Sequence, residues 1–158
     1  MAPAPKTIGS KAPAWLAVCV VFVAGFEGLF TKAYKDPVGV TTICYGITNH
    51  DRPVKMGDQY SKEECIQFLK DDLIKYKRMV DNCIKVEMPP HRTAAMVSFT
   101  YNVGQGALCK SSVARKINAG NVKGGCDALL LYNKAGGRVF RGLERRRAAE
   151  RQLCLRSD

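Results

Sequence analysis

The stretch from Glu27 to Thr42, EGLFTKAYKDPVGVTT, sets an acid at the end of an apolar run, a second acid nine positions on and a threonine six further. Two carboxyl groups held in different protonation states can cleave a glycosidic bond: one protonates the leaving oxygen while the other activates or holds the attacking species. Glu27 directly follows AWLAVCVVFVAGF, so its carboxyl is expected against apolar side chains, where lost hydration disfavours the ionised form and suits a general acid. Asp36 lies beside Lys35 and just before Pro37 and Gly39, in turn-forming sequence where water and a cationic neighbour favour its ionised form. That suits a base or water-holder, and Thr42 adds a hydroxyl able to fix the same water. Two acids and a threonine within sixteen residues also arise by chance, so spacing alone does not establish catalysis.

The surrounding sequence is more specific. E-x8-D-x5-T, read as Glu27, Asp36 and Thr42, resembles the active-site pattern of the phage lysozymes, the muramidases that phages use as endolysins. KAYKDPVGVTTICYG resembles that family's strand-and-turn segment. YSKEEC from Tyr60, SFTYNVG from Ser98, KINAG from Lys116 and GLERRRAAERQLC from Gly142 resemble further family blocks in family order, spanning roughly Phe22 to Cys154. The likeness is above all to lambdoid-phage endolysins that begin with a signal-anchor-release segment.

The resemblance implies an α+β, lysozyme-like fold, mainly helical, with a small β-hairpin lobe bearing the acids and a helical lobe joined by a long helix. It implies hydrolysis of the β-1,4 bond between N-acetylmuramic acid and N-acetylglucosamine in peptidoglycan, with inversion, no cofactor and no metal. Glu27 would be the acid, with Asp36 and Thr42 holding the water. By the same resemblance Tyr101 and Asn102 face the saccharide cleft as substrate-binding residues, and Arg146 approaches the catalytic glutamate and keeps its helix docked. Family members commonly have a histidine where Ile47 stands, a departure that bears on local stability.

The length of 158 residues suits one catalytic domain, read as 27–158 behind a basic and apolar segment at 1–26. A net charge of +11 implies an anionic partner: nucleic acid, an acidic membrane surface or a polymer such as the peptidoglycan glycan strand. No helix-turn-helix, zinc finger or ribonucleoprotein motif gives that charge a reading element, so no nucleic-acid partner is expected, and the protein is expected to be a monomer.

The seven cysteines form no CxxC pair, and His50 and His91 have no cysteine at zinc spacing, so disulfides in an oxidising compartment fit better than a metal. Sequence does not determine connectivity. Likeness to the lambdoid enzymes implies Cys44 with Cys65 and Cys126 with Cys154, and leaves Cys83 and Cys109 for a third bridge. Cys19 is then left over. Some family members exchange an anchor cysteine into a disulfide after release, but in those a cysteine replaces the aspartate that is intact here as Asp36.

Residues 1–11, MAPAPKTIGSK, are expected to be disordered. From Ala12 to Phe26 no residue is charged. Fifteen helical residues span about 22 Å, short of a hydrocarbon core of about 30 Å, whereas extension to Phe30 comes close. Three readings compete: a cleaved signal peptide, a core helix and a weak signal anchor that later leaves the membrane. Cleavage after Ala24 and Gly25 would remove the helix that presents Glu27. The basic start, the cysteine usage and the family likeness favour the anchor, with residues 12–30 associating with the inner membrane until release into the periplasm. The alternative localisation is the host cytoplasm until holin-mediated export. In the lambdoid relatives a polar spacer separates the anchor from the glutamate, and none is present here.

Further along, VGVTTICYG at Val38 to Gly46 reads as a short hairpin or small sheet carrying Thr42 towards Asp36. A loop over Asn49 to Tyr60 precedes the S-x-x-E capping box of Ser61 and Glu64, which opens a helix to about Val80. Its buried stripe is Cys65, Phe68, Leu69, Leu73, Tyr76, Met79 and Val80. Pro89 and Pro90 open the next helix, with Ala95, Met96 and Phe99 facing the core and Gly104 capping its end. Ser111 to Asn118 and Val122 to Asn133 read as short helices broken at Gly120 and at Gly136 and Gly137, and Arg141 to Arg156 as a packed helix with a thin apolar stripe and a solvated basic face. A rival reading from another class is a non-catalytic cationic protein that binds cell wall or membrane on the same fold.

Overall fold

A computed structural model describes residues 12–156. Among these residues seven α-helices run in chain order: α1 (Ala14–Glu27), α2 (Lys62–Cys83), α3 (Pro90–Val103), α4 (Gln105–Lys110), α5 (Ser112–Asn118), α6 (Val122–Ala128) and α7 (Arg141–Leu155). An antiparallel sheet of order β1-β2-β3 (Phe30–Lys35, Thr41–Cys44, Ile47–Thr48) follows α1, and a hairpin of β4 (Lys134–Ala135) and β5 (Arg138–Val139) precedes α7. The α+β, lysozyme-like class expected from the sequence is the class observed.

α3 is the centre of the helical lobe. Every residue from Thr93 to Thr100 is buried, and the helix packs against α1, α2, α4 and α7. Its sequence explains this: TAAMVSFT is small or medium-sized and uncharged, so neighbours approach on all sides, and Thr100 returns its hydroxyl to the Met96 carbonyl at 2.7 Å. Pro90 takes the first helical position and Gly104 the C-cap.

α2 begins at the expected capping box, with Ser61 and Glu64 each accepting the other's backbone N–H, a device worth about 1 kcal/mol. It continues a turn beyond the expected end, to Cys83. Disulfides join Cys44 to Cys65, Cys83 to Cys109 and Cys126 to Cys154, and Cys19 is a free, buried thiol. The first ties β2 to the start of α2. Cys44 itself adopts φ +59, the one positive φ of a non-glycine residue among those described.

Three expectations need correction. The Val122–Asn133 segment is helical only to Ala128, then tightens into a 3₁₀ turn over Leu129–Leu131. Gly136 and Gly137 do more than break a helix: they form the two-residue tip of the β4–β5 hairpin. The largest difference is α7, where the buried residues are Arg146, Arg147, Glu150, Leu153 and Cys154. Charge lies on its core side because α3 offers partners there, the Ser98 hydroxyl donating to Glu150 and the Ser98 carbonyl accepting from Arg146, so the basic face is only partly solvated.

Leu16, Cys19 and Val23 place α1 in the common core, while Val21 is 76% and Phe26 40% exposed. Among the described residues no helix is long and apolar enough to cross a membrane. The expected disordered stretch 1–11 lies outside the described residues. Burial pushes the Cys19 thiol up to about 12, so it stays protonated and shielded. A thiol assay with Ellman's reagent should therefore find no reactive cysteine in the native protein and about one per chain in non-reducing guanidinium; two or more would break the three-disulfide assignment.

Candidate active site

Glu27 is the last residue of α1. The helix stops there because Gly28 takes φ +73 and returns its N–H to the Ala24 carbonyl at 3.0 Å. The carboxyl therefore sits where the chain passes from the helical lobe into the sheet. Its side chain is 21% exposed. The apolar setting expected from sequence is incomplete: Arg146 Nη1 donates to Glu27 Oε1 at 2.6 Å, from a side chain only 6% exposed. Arg146 also lies 5.6 Å from the Phe26 ring centre. The approach of Arg146 to this glutamate, expected from resemblance, is thus present.

The other carboxyl oxygen rests on backbone. Gly46 has φ +77, and a Cβ built there would meet Glu27 Oε2 at 2.6 Å. Only glycine satisfies both the left-handed turn between β2 and β3 and this close approach.

Asp36 directly follows β1 and opens a tight turn to β2. Its Oδ1 accepts from the backbone N–H of Val38 at 2.9 Å and of Val40 at 2.8 Å, while Asp36 N–H donates to the Val40 carbonyl. No hydrogen bond from a described residue reaches Oδ2. Lys35 does not pair with Asp36 as its position suggested; its ammonium donates to the Thr41 hydroxyl at 2.6 Å. The β1–β2 register, Tyr34 opposite Thr42 and Lys35 opposite Thr41, brings Thr42 back beside the aspartate's strand. Thr42 is buried and its hydroxyl donates to the Val40 carbonyl at 3.0 Å, which leaves the oxygen free as an acceptor.

Tyr34 was not singled out in the sequence. Its phenol is pushed above the ordinary value by burial and then by the charges of Asp36 and Glu27, so it senses both carboxyl groups. It contacts Phe30 with ring centres 4.4 Å apart. Its place in β1 opposite Thr42 was legible only once the strand register was known.

Of the residues expected to face the cleft, Tyr101 is half-buried and its hydroxyl donates to the Tyr45 carbonyl at 2.8 Å, tying α3 to the β2–β3 turn. Burial, with Glu27 next, raises its pKa. Asn102 is exposed, and its Oδ1 accepts from Arg147 Nη2 at 2.8 Å. A concavity of about 660 Å³ is lined by Phe26, Asn102, Phe140, Leu143, Arg145 and Arg146, among others. Glu27, Asp36 and Thr42 are not among its lining residues, but Arg146, which does line it, bonds Glu27.

Where the family commonly has histidine, Ile47 is fully buried and pairs with Ile43 across β2 and β3. Buried Asp72 of α2 takes Arg52 as its partner at 3.4 Å, and the guanidinium lies 3.9 Å over the Phe68 ring.

Two lobes, with one carboxyl where they meet and a second on the sheet turn, make a lysozyme-like fold. The phage lysozyme profile matches residues 24–150, and the chain belongs to that family. It is 45% identical over 131 residues to a SAR-endolysin of Bacteriophage PS119, covering 83% of this chain and 77% of the relative. It is 43% identical to the SAR-endolysin of Enterobacteria phage P21, covering 83% and 78%. The endolysin of Escherichia coli O157:H7 phage FAHEc1 superposes with a TM-score of 0.79 at 33% identity over 96% of each chain. Peptidoglycan lysis is the class of activity that this membership assigns.

Gly46→Ala should force Glu27 from its place and strain the turn, costing about 1–2 kcal/mol of stability. Thermal unfolding should register that loss, and turbidity assays on peptidoglycan should show lysis falling by about two orders of magnitude or more; a folded variant with normal lysis would remove Gly46 from the site.

Proposed function

We propose that this chain is an endolysin that hydrolyses the β-1,4 bond between N-acetylmuramic acid and N-acetylglucosamine. The observation that carries the reading is the seating of Glu27: Oε1 held by Arg146 at 2.6 Å and Oε2 turned over Gly46 at the junction of the lobes. Oε2 is the oxygen left to carry a proton. Glu27 gives that proton to the glycosidic oxygen as the bond to the anomeric carbon breaks. A water donating its protons to Thr42 Oγ1 and Asp36 Oδ2 keeps a lone pair for the opposite face of the sugar, and Asp36 accepts the proton as the new bond forms. This is single displacement with inversion. Tyr101 supports the site by holding the lobes in register, and Asn102 borders the substrate side. No metal or cofactor enters these steps.

The N-terminal segment extends the proposal to localisation. Because the run 12–26 lacks charge, and α1 retains an uncharged solvent side with Val21 and Phe26 exposed, the same residues suit a bilayer before folding and a core helix afterwards. In that reading the enzyme is released from the inner membrane into the periplasm, and Glu27 reaches its place only when α1 docks.

Glu27→Gln and Asp36→Asn, each compared with wild type at matched folded protein, should reduce turbidity loss of purified peptidoglycan by about 10²–10⁴-fold. Proton NMR of the first-formed product should show the α-anomer. Full lysis by Glu27→Gln would sink the acid assignment and favour the cationic binder, while an initial β-anomer would replace inversion with retention.

A further inference from the structure

α7 carries a second buried acid that the proposed chemistry leaves unused. Glu150 has no exposed surface and lies one turn beyond Arg146. Its Oε2 accepts from the Ser98 hydroxyl at 2.7 Å and from Arg146 Nε and Arg147 Nη2 at 3.4 Å each, and Oε1 lies 2.7 Å from Arg147 Nε. Arg146 in turn sends each of its nitrogens to a different acceptor, with Nε on Glu150, Nη1 on Glu27 at 2.6 Å and Nη2 on the Ser98 carbonyl at 3.2 Å. Burial pushes the Glu150 carboxyl up while Arg147 and Arg146 oppose it, and burial pulls Arg147 down. The partners of Glu150 are donors, so the carboxylate is the form that these contacts require.

Glu27 and Glu150 therefore balance Arg146 and Arg147. The other groups facing this cluster add little charge. From α1 comes the protonated Cys19 thiol. From α3 come Ser98, Tyr101 and Asn102, all neutral. From the sheet lobe the Tyr34 phenol lies within electrostatic reach of Glu27 and also of Asp36, whose charge all the variants below leave unchanged.

We propose that Glu150 is a positioning residue for Glu27, acting through Arg146. By engaging Nε it fixes the rotamer that sets Nη1 on Glu27 Oε1, and by opposing Arg146 and Arg147 together it sets the charge under which Glu27 takes up and gives its proton. The inference rests on the proposed role of Glu27 as the acid. It makes the reach from the core of α7 to the reacting carboxyl a single unbroken line: Glu150, Arg146, Glu27.

The test reads Glu27 directly, by carbon-13 NMR of its side-chain carboxyl in the full chain, with the signal assigned by its loss in Glu27→Gln. Glu150→Gln keeps shape and removes a negative charge, so the pH midpoint of the Glu27 signal should fall by about half a unit or more. Arg147→Met removes a positive charge and should raise it by a similar amount. The double variant restores the balance and should return the midpoint to within about 0.2 unit of wild type. The alkaline limb of kcat/KM should move with each. Opposite shifts cancelled in the double variant support the proposal, because simple loosening of α7 moves both single variants the same way. Absence of a shift in folded Glu150→Gln, or shifts of one sign in both, overturns it. Should Glu150→Gln not fold, Arg147→Met decides alone, and an unmoved midpoint there overturns it. Undiminished lysis by Glu27→Gln would remove the muramidase role while leaving the titration readable, so the two failures are separable.

Discussion

The ion pair of Arg146 with Glu27 is the constraint on which the rest of the structure depends. A guanidinium with a side chain 6% exposed is tolerable only when its donors are met, and removing one partner of such a buried pair typically costs about 3–5 kcal/mol. Its partners come from three helices: Glu27 at the end of α1, Ser98 in α3 and Glu150 in α7 itself. Those helices must dock together for any of the bonds to form. The Glu27 carboxyl is therefore placed by the assembly of the helical lobe, although its own chain continues into the sheet.

On the sheet side the placement is made by short covalent and backbone links. The Asp36 turn closes on its own side chain, the Cys44–Cys65 disulfide fastens β2 to α2, and Tyr101 binds the Tyr45 carbonyl from α3. These links act on consecutive parts of one hairpin, so they fix Asp36, Thr42 and Gly46 relative to one another with few residues. What joins this unit to Glu27 is the Gly28 turn and the contact of Glu27 with Gly46. In the proposed mechanism small displacements there matter, because a general acid must lie within hydrogen-bond reach of the oxygen it protonates.

α1 shows how one segment can answer to two environments. Its residues are apolar on every side, yet in the folded chain only Leu16, Cys19 and Val23 are fully buried. An all-round apolar helix on a protein surface leaves part of its apolar area in water. Composition could not separate the core-helix and anchor readings, since both need the same residues; only the basic start, the cysteine usage and the family likeness favoured the anchor. Packing of α1 against α3 and α2 supplies the core-helix half of that answer.

The sequence by itself determined the elements whose causes are local: the capping box at Ser61, the proline start of α3, the turn residues around Asp36, and the E-x8-D-x5-T spacing that marks the family. These depend on residues within a turn or two of one another, so pattern suffices. The β4–β5 hairpin tip is also local, but its two glycines were read only as a break. Tertiary structure alone decided the rest. The charged core side of α7 contradicts its polar pattern because burial of Arg146, Arg147 and Glu150 is repaid by acceptors and cations brought from α1, α3 and α7 together. Gly46 under Glu27, Tyr34 opposite Thr42 and Arg52 opposite Asp72 likewise join residues distant along the chain or across strands. No local periodicity records such meetings; they exist only once the helices and the sheet are docked.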